Sequence, residues 1–221
     1  MWLPIIHPAT FNFLDVINEK NSREFFATVK PLYQEVLESV EALCQYLIDQ
    51  YEVKNQYWKI LQAKSCMFRI YRDARRIKPW GPLYKHHFSF FIHPEWKKTM
   101  NAGWYVHIEP WNTFFASWIW WATAAFLYPL RKKFENYGNE YLKILSDNIF
   151  RTYFKRMYEQ SLKRPPKWFT IESDHLELIK KKQHLIRKQY KDDEVFESWF
   201  ATSLLKDIEV SRSWTDWLND I

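Results

Sequence analysis

Apolar residues recur every three or four positions near the start of the chain, which is the spacing of one buried helical face. The members of this run are Phe25, Val29, Leu32, Val36, Val40, Leu43, Leu47 and Tyr51. Asn21 and Glu24 stand at its start with the spacing of a capping box, so the helix is predicted to begin there. Pro31 predicts a kink or a restart near this beginning. We therefore expect a long amphipathic helix within a helical region over residues 9–60.

Between residues 66 and 120 the spacing changes to alternation, and β-branched and aromatic residues become dense. Four runs have the character of strands: residues 67–72, 86–92, 104–109 and 113–119. The connections between these runs are short, which favours an antiparallel arrangement of neighbouring strands. The region 66–120 is therefore predicted to form a sheet.

Helical spacing returns over residues 122–163, with a break predicted at residues 137–139. Residues 164–221 are predicted to be mixed, with a short helix after Asp174, a strand near 184–186 and an acidic helix from Asp192. Together the patterns predict one α+β domain over residues 1–221. In this fold a long N-terminal helix packs on an antiparallel sheet of about four or more strands, and C-terminal helices cover the core.

The chain carries weak signals for secretion and for a membrane span. Its start lacks the basic segment of a signal peptide. Residues 110–130 are uncharged and precede the basic residues 131–133, but their polar and aromatic content favours a strand over a membrane helix. Cys44 and Cys66 indicate neither a disulfide framework nor a zinc site, which favours a reducing compartment. We therefore expect a soluble, cytoplasmic protein with no cofactor and no membrane partner.

The net charge of +6 is unevenly distributed. Residues 151–191 carry twelve Lys and Arg against four Asp and Glu, whereas residues 192–221 carry two against eight. A basic stretch of this kind is typical of a nucleic-acid-binding surface. Alternatively, the basic stretch and the acidic tail neutralise each other in the fold. The sequence does not distinguish between these two interpretations.

Alternation also sorts the polar residues of the predicted strands by face. If these faces coincide, one surface of the sheet gathers basic, aromatic and histidine side chains, joined by residues of an intervening loop. The predicted ligand-binding residues are Arg69, Tyr71, Arg72, Arg75, Lys78, Tyr84, Lys85 and Tyr105. The candidate catalytic residues are His107, Glu109, His87 and Asp73. No metal ligand is assigned, because the histidines lack the usual metal-ligand spacing.

Three functions fit this composition. The first is binding of a small anionic ligand, with phosphorylated compounds among the candidates, since Arg and Lys side chains hold phosphate or carboxylate groups. The second is a hydrolase or transferase acting on a phosphate-bearing substrate, with His107 or His87 as the base, oriented by Glu109 or Asp73. The third is association with nucleic acid through residues 151–191. Against the first two stands the fact that the outer face of a half-exposed sheet is polar without any function.

Several segments, taken in order along the chain, also resemble a known family. They are Phe13-Leu14, Asn21-Ser22-Arg23-Glu24-Phe25-Phe26, Lys30, Tyr33, Phe68-Arg69-Ile70-Tyr71-Arg72-Asp73-Ala74-Arg75, Lys78, Pro82-Leu83-Tyr84-Lys85-His86-His87-Phe88, Gly103-Trp104-Tyr105-Val106-His107-Ile108-Glu109-Pro110 and Pro165-Pro166-Lys167-Trp168-Phe169. The chain resembles the conserved bacterial and fungal family called domain of unknown function 2461. The resemblance implies an α+β fold in a soluble protein. It supplies no established activity, so no catalytic role is carried over.

The chain departs from this family where members look rich in glycine. Trp111, Trp118 and Trp168 stand at such places, and Trp80, Trp96 and Trp121 stand in turn-like contexts. The chain has 13 Trp but only 3 Gly, whereas average usage predicts about 15 Gly. We hypothesise that the gene reads the codon UGA as glycine and was translated with UGA as tryptophan. The competing interpretation is a ligand surface that is genuinely rich in tryptophan.

Overall fold

The computed structural model of the chain describes residues 3–52, 61–73, 75, 77–78, 80–95, 99–119, 122–157 and 160–221. The helices are α1 (Thr10–Glu19), α2 (Arg23–Glu52), α3 (Ala63–Cys66), α4 (Ala124–Ser146), α5 (Asn148–Tyr153), α6 (Leu176–Ile179), α7 (Asp192–Val195) and α8 (Phe200–Asn219). The strands are β1 (Phe88–Ile92), β2 (Gly103–Ile108), β3 (Phe114–Ile119), β4 (Arg156–Met157) and β5 (His184–Gln189). The strands form one sheet in the order β1-β2-β3-β5-β4. This arrangement confirms the predicted α+β fold with its long N-terminal helix.

Helix α2 is the long helix that the apolar spacing predicts, and its apolar face is buried. Pro31 lies inside it, and the 30-residue helix continues without the restart that the proline suggested. The predicted capping box is wrong in one residue. Ser22, rather than Asn21, caps the helix, because its Oγ accepts a hydrogen bond from the Phe25 amide at 3.1 Å. The end of the predicted helical region, residues 53–60, lies outside the described residues.

Three of the four predicted strands are present as β1, β2 and β3, within one or two residues of their expected bounds. The fourth, over residues 67–72, makes only isolated antiparallel bridges, from Met67 to Phe90 and from Tyr71 to Tyr84. Three residues separate these bridges on one side and five on the other. The longer side must therefore bulge, which interrupts the ladder and explains why no regular strand forms.

The predicted helical region 122–163 is shorter than expected. Helix α4 contains the predicted break, because Tyr137 leaves helical geometry with φ −130° and ψ 18°. The next residue, Gly138, lies so close to the His175 ring that a Cβ would collide with it. Asp147 separates α4 from α5 and caps the latter by accepting from the Phe150 amide. The chain then enters strand β4, which pairs antiparallel with β5, so the helical prediction fails beyond residue 153.

The C-terminal predictions hold with one change. The expected strand near 184–186 is β5, and the expected acidic helix is divided into α7 and α8. Among the described residues, no helix has the length and apolar character that crossing a membrane requires. In the stretch 110–130, strand β3 and the start of α4 replace any continuous apolar helix.

The chain forms two compact units. The first comprises Met1–Lys97, Tyr105–Phe115 and Gln189–Leu205. Its core includes Phe13, Leu14, Val36, Leu43 and Phe88. The second comprises Lys98–Trp104, Ala116–Lys188 and Lys206–Ile221, and its core includes Phe134, Tyr141, His184 and Trp214. The expectation of a single folding domain stays a prediction.

Candidate functional site

A pocket of about 590 Å³ lies in the first unit, beside the bulged segment. We call it the basic pocket, after its four cationic side chains. It is lined by Arg69, Tyr71, Arg72, Asp73, Ile77, Lys78, Gly81, Pro82 and Lys85. Six of these residues were among the predicted ligand-binding and catalytic candidates. The sequence alone gave no signal for Ile77, Gly81 and Pro82, which complete the wall from the connecting loop.

The four cations of the basic pocket differ in the contacts that they make. Among the residues that the structure describes, no carboxylate pairs with Arg69 or Lys78, and both side chains are exposed. Arg72 donates from Nε to the carbonyl oxygen of Tyr84 at 3.3 Å, which holds its guanidinium against the pocket wall. Lys85 places its Nζ over the Phe68 ring, 5.5 Å from the centroid. The pocket is therefore strongly electropositive.

Asp73 supplies the carboxylate of the basic pocket, and Arg75 holds it. The Arg75 Nε and Nη2 atoms donate to the two oxygens of Asp73 at 3.0 and 2.9 Å, a bidentate pair. Arg75 does not line the pocket. Its predicted role as a ligand contact stays a prediction, and in the structure its guanidinium pairs with Asp73. Asp73 is also placed here rather than beside a histidine, where it was predicted to orient the base.

The loop that carries Lys85 is anchored by Asn21, between α1 and α2. The Asn21 side chain accepts from the Tyr84 amide at 2.8 Å and donates to the Tyr84 carbonyl oxygen at 3.1 Å. The Tyr84 ring is buried and stacks on Phe26, with centroids 4.2 Å apart. The Tyr84 backbone therefore positions the pocket wall. The Tyr84 side chain was predicted to contact the ligand, but it does not line the pocket.

A second group, which we call the histidine cluster, contains the predicted catalytic residues His87, His107 and Glu109 together with His86. His107 Nε2 lies 2.9 Å from Glu109 Oε2, and His86 Nε2 lies 2.6 Å from Glu109 Oε1. Both carboxylate oxygens of Glu109 are thus engaged. The rings of His87 and His107 lie 4.3 Å apart between centroids. His86 was not among the predicted catalytic residues, because it alternates with His87 and was expected on the opposite face.

Neighbouring side chains fix the orientation of the histidine cluster. The Tyr105 hydroxyl is hydrogen-bonded to His107 Nδ1 at 2.9 Å, and Phe114 stacks on the same ring at 4.8 Å between centroids. Asn112 donates a short hydrogen bond to Glu109 Oε2. Tyr105, a predicted ligand contact, therefore contacts His107 and does not line the basic pocket.

Burial and charge set the protonation of this cluster. Burial, together with the nearby His107 and Lys85, lowers the pKa of His87 to about 3, so its imidazole is neutral at neutral pH. The pKa of Glu109 is lowered although burial acts to raise it, because hydrogen bonds from Asn112 and His107 stabilise its charged form. The pKa of Tyr105 is raised by burial, so its hydroxyl keeps its proton.

The polar groups of the sheet are less exposed than the alternating pattern predicts. All five residues of β1 are buried, and in β2 only Tyr105 is partly exposed. His107 itself is buried. The interpretation as an ordinary solvent-facing polar surface is therefore wrong for β1 and β2. A buried histidine and a half-buried glutamate require partners, and the histidine cluster provides them.

The basic pocket and the histidine cluster adjoin along one short segment. Lys85 lines the pocket, and the next residue, His86, contacts Glu109. Phe68 links the two groups as well, because its ring meets both Lys85 and the Tyr105 ring, the latter at 6.1 Å between centroids. The bulge that lies opposite residues 68–70 contains Lys85, His86 and His87, so it contributes to both groups.

Two tryptophans occupy backbone positions that favour glycine. Trp111 has φ 62° and Trp168 has φ 78°. In each case the residue after the tryptophan donates its amide to the carbonyl oxygen three residues earlier, from Asn112 to Glu109 and from Phe169 to Pro166. A positive φ at the third position of such a turn defines type II, which normally places glycine there. Trp118 lies in β3 without a positive φ, and Trp96 and Trp121 lie outside the described residues.

The basic stretch 151–191 lies outside both groups. Arg151, Lys163 and Arg164 are exposed, whereas Lys181 is buried. Lys188 pairs with Asp207 of the acidic tail at 2.6 Å. The stretch is thus partly neutralised by the tail and partly open to solvent.

Comparison with known proteins identifies the family. No curated protein and no solved structure matches the chain. A family described as a conserved hypothetical protein, DUF2461, matches residues 9–217. This match includes the bulged segment, the basic pocket and the histidine cluster. The protein belongs to the DUF2461 family of conserved hypothetical proteins.

Proposed function

We propose that the protein binds a small anionic ligand in the basic pocket, and that this ligand carries a phosphate group. The observation that carries this proposal is the pair of exposed cations, Arg69 and Lys78, that face a concave surface with no carboxylate partner in the described part of the chain. A single cation on a protein surface attracts anions only weakly. Several cations that line one concave surface act together and attract anions more strongly. A guanidinium can also hold two oxygens of one phosphate.

The rest of the lining supports an anionic ligand. Asp73 is exposed and would by itself repel an anion, but the bidentate contact with Arg75 balances its charge. Tyr71 offers an exposed ring beside the cations, suited to a nucleobase or to the apolar face of a sugar ring. We therefore expect a ligand that combines one phosphate with a ring.

A thermal-shift screen against inorganic pyrophosphate, sugar phosphates and nucleotides tests this proposal, with titration calorimetry on any ligand that stabilises the protein. Arg69→Gln and Lys78→Gln are each expected to weaken binding about tenfold, since each removes a charge-assisted hydrogen bond. Arg151→Gln removes an equally exposed cation outside the pocket and is expected to leave the affinity unchanged.

The same variants separate this function from nucleic-acid binding. An oligonucleotide whose binding falls in Arg151→Gln but not in Arg69→Gln would favour the stretch 151–191 as the functional surface. Equal effects of all three substitutions on a small phosphate compound would contradict a localised pocket. The nucleic-acid alternative rests on the exposed cations of that stretch, and the pairing of Lys188 with Asp207 counts against it.

A hydrolase or transferase is the second candidate, favoured by the short contact between His107 and Glu109. However, both ring nitrogens of His107 are occupied, one by Tyr105 and the other by Glu109. The lowered pKa of His87 makes it a weak base at neutral pH. The contact therefore supports a catalytic role less directly than the pattern of residues suggested.

We also propose a cytoplasmic location. Cys44 and Cys66 are both buried, and neither forms a disulfide. Such thiols are stable in a reducing compartment.

We propose, in addition, that positions 111 and 168 are glycine in the functional protein, because the gene reads UGA as glycine. Each Trp there adopts the left-handed backbone of a type II turn, and each side chain is largely exposed. Support for the same change at Trp118 comes only from the family resemblance. UGG codons at positions 111 and 168 in the nucleotide sequence would refute the proposal.

A further inference from the structure

We infer that His87, His107 and Glu109 form a binding site for a divalent transition-metal ion, with Zn²⁺ as the best match. One ligand atom from each of these three residues lies within 4.8 Å of the other two. The three residues come from the bulge and from the end of β2, so the sequence spacing between them does not resemble a metal motif. The fold alone brings them together.

The chemical types of these ligands select the ion. Two imidazole nitrogens and one carboxylate oxygen suit a metal of intermediate softness, and zinc is commonly held by this set. Calcium and magnesium prefer ligand sets made of oxygen. Three protein ligands also leave one position of a tetrahedral ion open for water or for a ligand. The site is therefore of the open kind, next to the basic pocket.

One property of His87 is not explained if His107 and Glu109 serve only to transfer a proton. In the described part of the chain its ring nitrogens have no hydrogen bond, although the residue is half-buried and touches His107. Neither ring nitrogen is among the fully buried, unsatisfied polar atoms of the described residues, so the ring stays accessible to an incoming ligand. An accessible imidazole nitrogen without a protein partner is suited to bind a metal ion.

The partners of His107 and Glu109 resemble the outer layer of a metal site. A metal-binding histidine typically bonds through its second nitrogen to an oxygen that fixes its orientation, as His107 does to Tyr105. Glu109 Oε1 is held by His86, and Asn112 reaches Oε2. These contacts preset the directions of both ligands before an ion arrives.

Metal binding requires only a change of tautomer at His107. Without an ion, the Nε2 hydrogen faces Glu109 and Nδ1 accepts from the Tyr105 hydroxyl. With an ion on Nε2, the proton resides on Nδ1 and is donated to the Tyr105 oxygen. Tyr105 then donates to Ser89, with which it is already hydrogen-bonded. This exchange of hydrogen bonds moves the proton between the two ring nitrogens and neither adds nor removes one.

Titration calorimetry with ZnCl₂ on protein treated with a chelator tests the site. We expect one Zn²⁺ per chain, and affinities at least about tenfold lower in His87→Gln and in Glu109→Gln. Tyr105→Phe, which keeps all three ligands but frees Nδ1 of His107, is expected to lower the affinity about tenfold. His93→Gln removes a buried histidine outside the cluster and should bind Zn²⁺ as the parent does.

A Co²⁺ absorption spectrum gives a second readout that does not depend on the affinity. Bands typical of a low-coordinate site with nitrogen and oxygen ligands are expected in the parent and in His93→Gln, and not in His87→Gln. Near-ultraviolet circular dichroism checks that each variant is folded. Absence of saturable Zn²⁺ binding, or binding that survives both His87→Gln and Glu109→Gln, would overturn the site. Pyrophosphate binding measured in chelator reports on the basic pocket separately.

Discussion

The backbone angles at Trp111 and Trp168 carry an energetic consequence at the level of single residues. A left-handed conformation costs a residue other than glycine roughly 1–3 kcal/mol. The tryptophan rings recover little of this, because Trp111 is 87% exposed and Trp168 is 69% exposed. Glycine would remove the strain but would add about 0.5–1 kcal/mol of entropy to the unfolded chain.

We therefore predict that Trp111→Gly and Trp168→Gly each raise the free energy of unfolding by about 1 kcal/mol. Chemical denaturation of the parent and the two variants measures this difference. Trp80→Gly is the matched control, because Trp80 is 88% exposed and lacks a positive φ. That change should lower stability slightly or leave it unchanged. Destabilisation by all three substitutions would show that the turns do not require glycine.

Single residues are also where the sequence misleads. Alternation placed Arg69 and His107 on one polar face, whereas the structure assigns them to two neighbouring groups. The cause is the bulge at residues 85–89, which changes the register in a way that no period of two can reveal. His86 could have been found only by allowing for such a bulge.

At the scale of elements, the segment between α1 and α2 determines the position of the pocket wall. Asn21 bonds to both backbone groups of Tyr84, while its neighbour Ser22 caps α2. The two adjacent residues thus have separate tasks. The capping pattern in the sequence could not divide them, because Asn and Ser are equally good caps.

We predict that Asn21→Ala lowers the free energy of unfolding by about 2 kcal/mol, because two hydrogen bonds to Tyr84 are lost. Hydrogen exchange at the Tyr84 amide should accelerate as well. Ser22→Ala removes the cap and the hydrogen bond to the Glu24 carboxylate, leaves Tyr84 untouched, and should cost about 1 kcal/mol. Its faster exchange should appear at the Phe25 amide and not at Tyr84. Equal protection of Tyr84 in both variants would show that Asn21 does not anchor the loop.

Elements with a strong period were predictable, and those defined by distant contacts were not. Helix α2 follows from its own apolar spacing. Strand β4 contains only Arg156 and Met157, and its existence depends on pairing with β5. A two-residue strand has no hydrophobic pattern of its own. The predicted helical region was therefore extended past the end of α5.

At the scale of the whole molecule, each unit encloses histidines that are neutral in the folded state. In the second unit, burial and the nearby charges of Lys181 and Arg131 lower the pKa of His184 to about 3. The ring stacks on Phe134 and is hydrogen-bonded to the Tyr141 hydroxyl, which also accepts from Trp214. In the first unit, His87 and His93 likewise have lowered pKa values because they are buried.

These histidines make the protein sensitive to acid. Between the unfolded pKa near 6.5 and the folded value near 3, the unfolded chain binds a proton at His184 that the folded chain does not. The free energy of unfolding must therefore decrease as the pH falls through this window. For His184 alone, the decrease from pH 7 to pH 5 is about 2 kcal/mol.

Urea denaturation at pH 7, 6 and 5 tests this prediction. His184→Gln should be less stable than the parent at pH 7, because the ring loses its contact with Phe134, but its stability should depend less on pH by about 2 kcal/mol over this range. Tyr141→Phe removes a hydrogen bond of the same cluster and keeps the histidine. It should therefore be destabilised with the parent's full pH dependence. If both variants keep that dependence, the acid sensitivity arises from other groups, and burial of a neutral His184 does not control it.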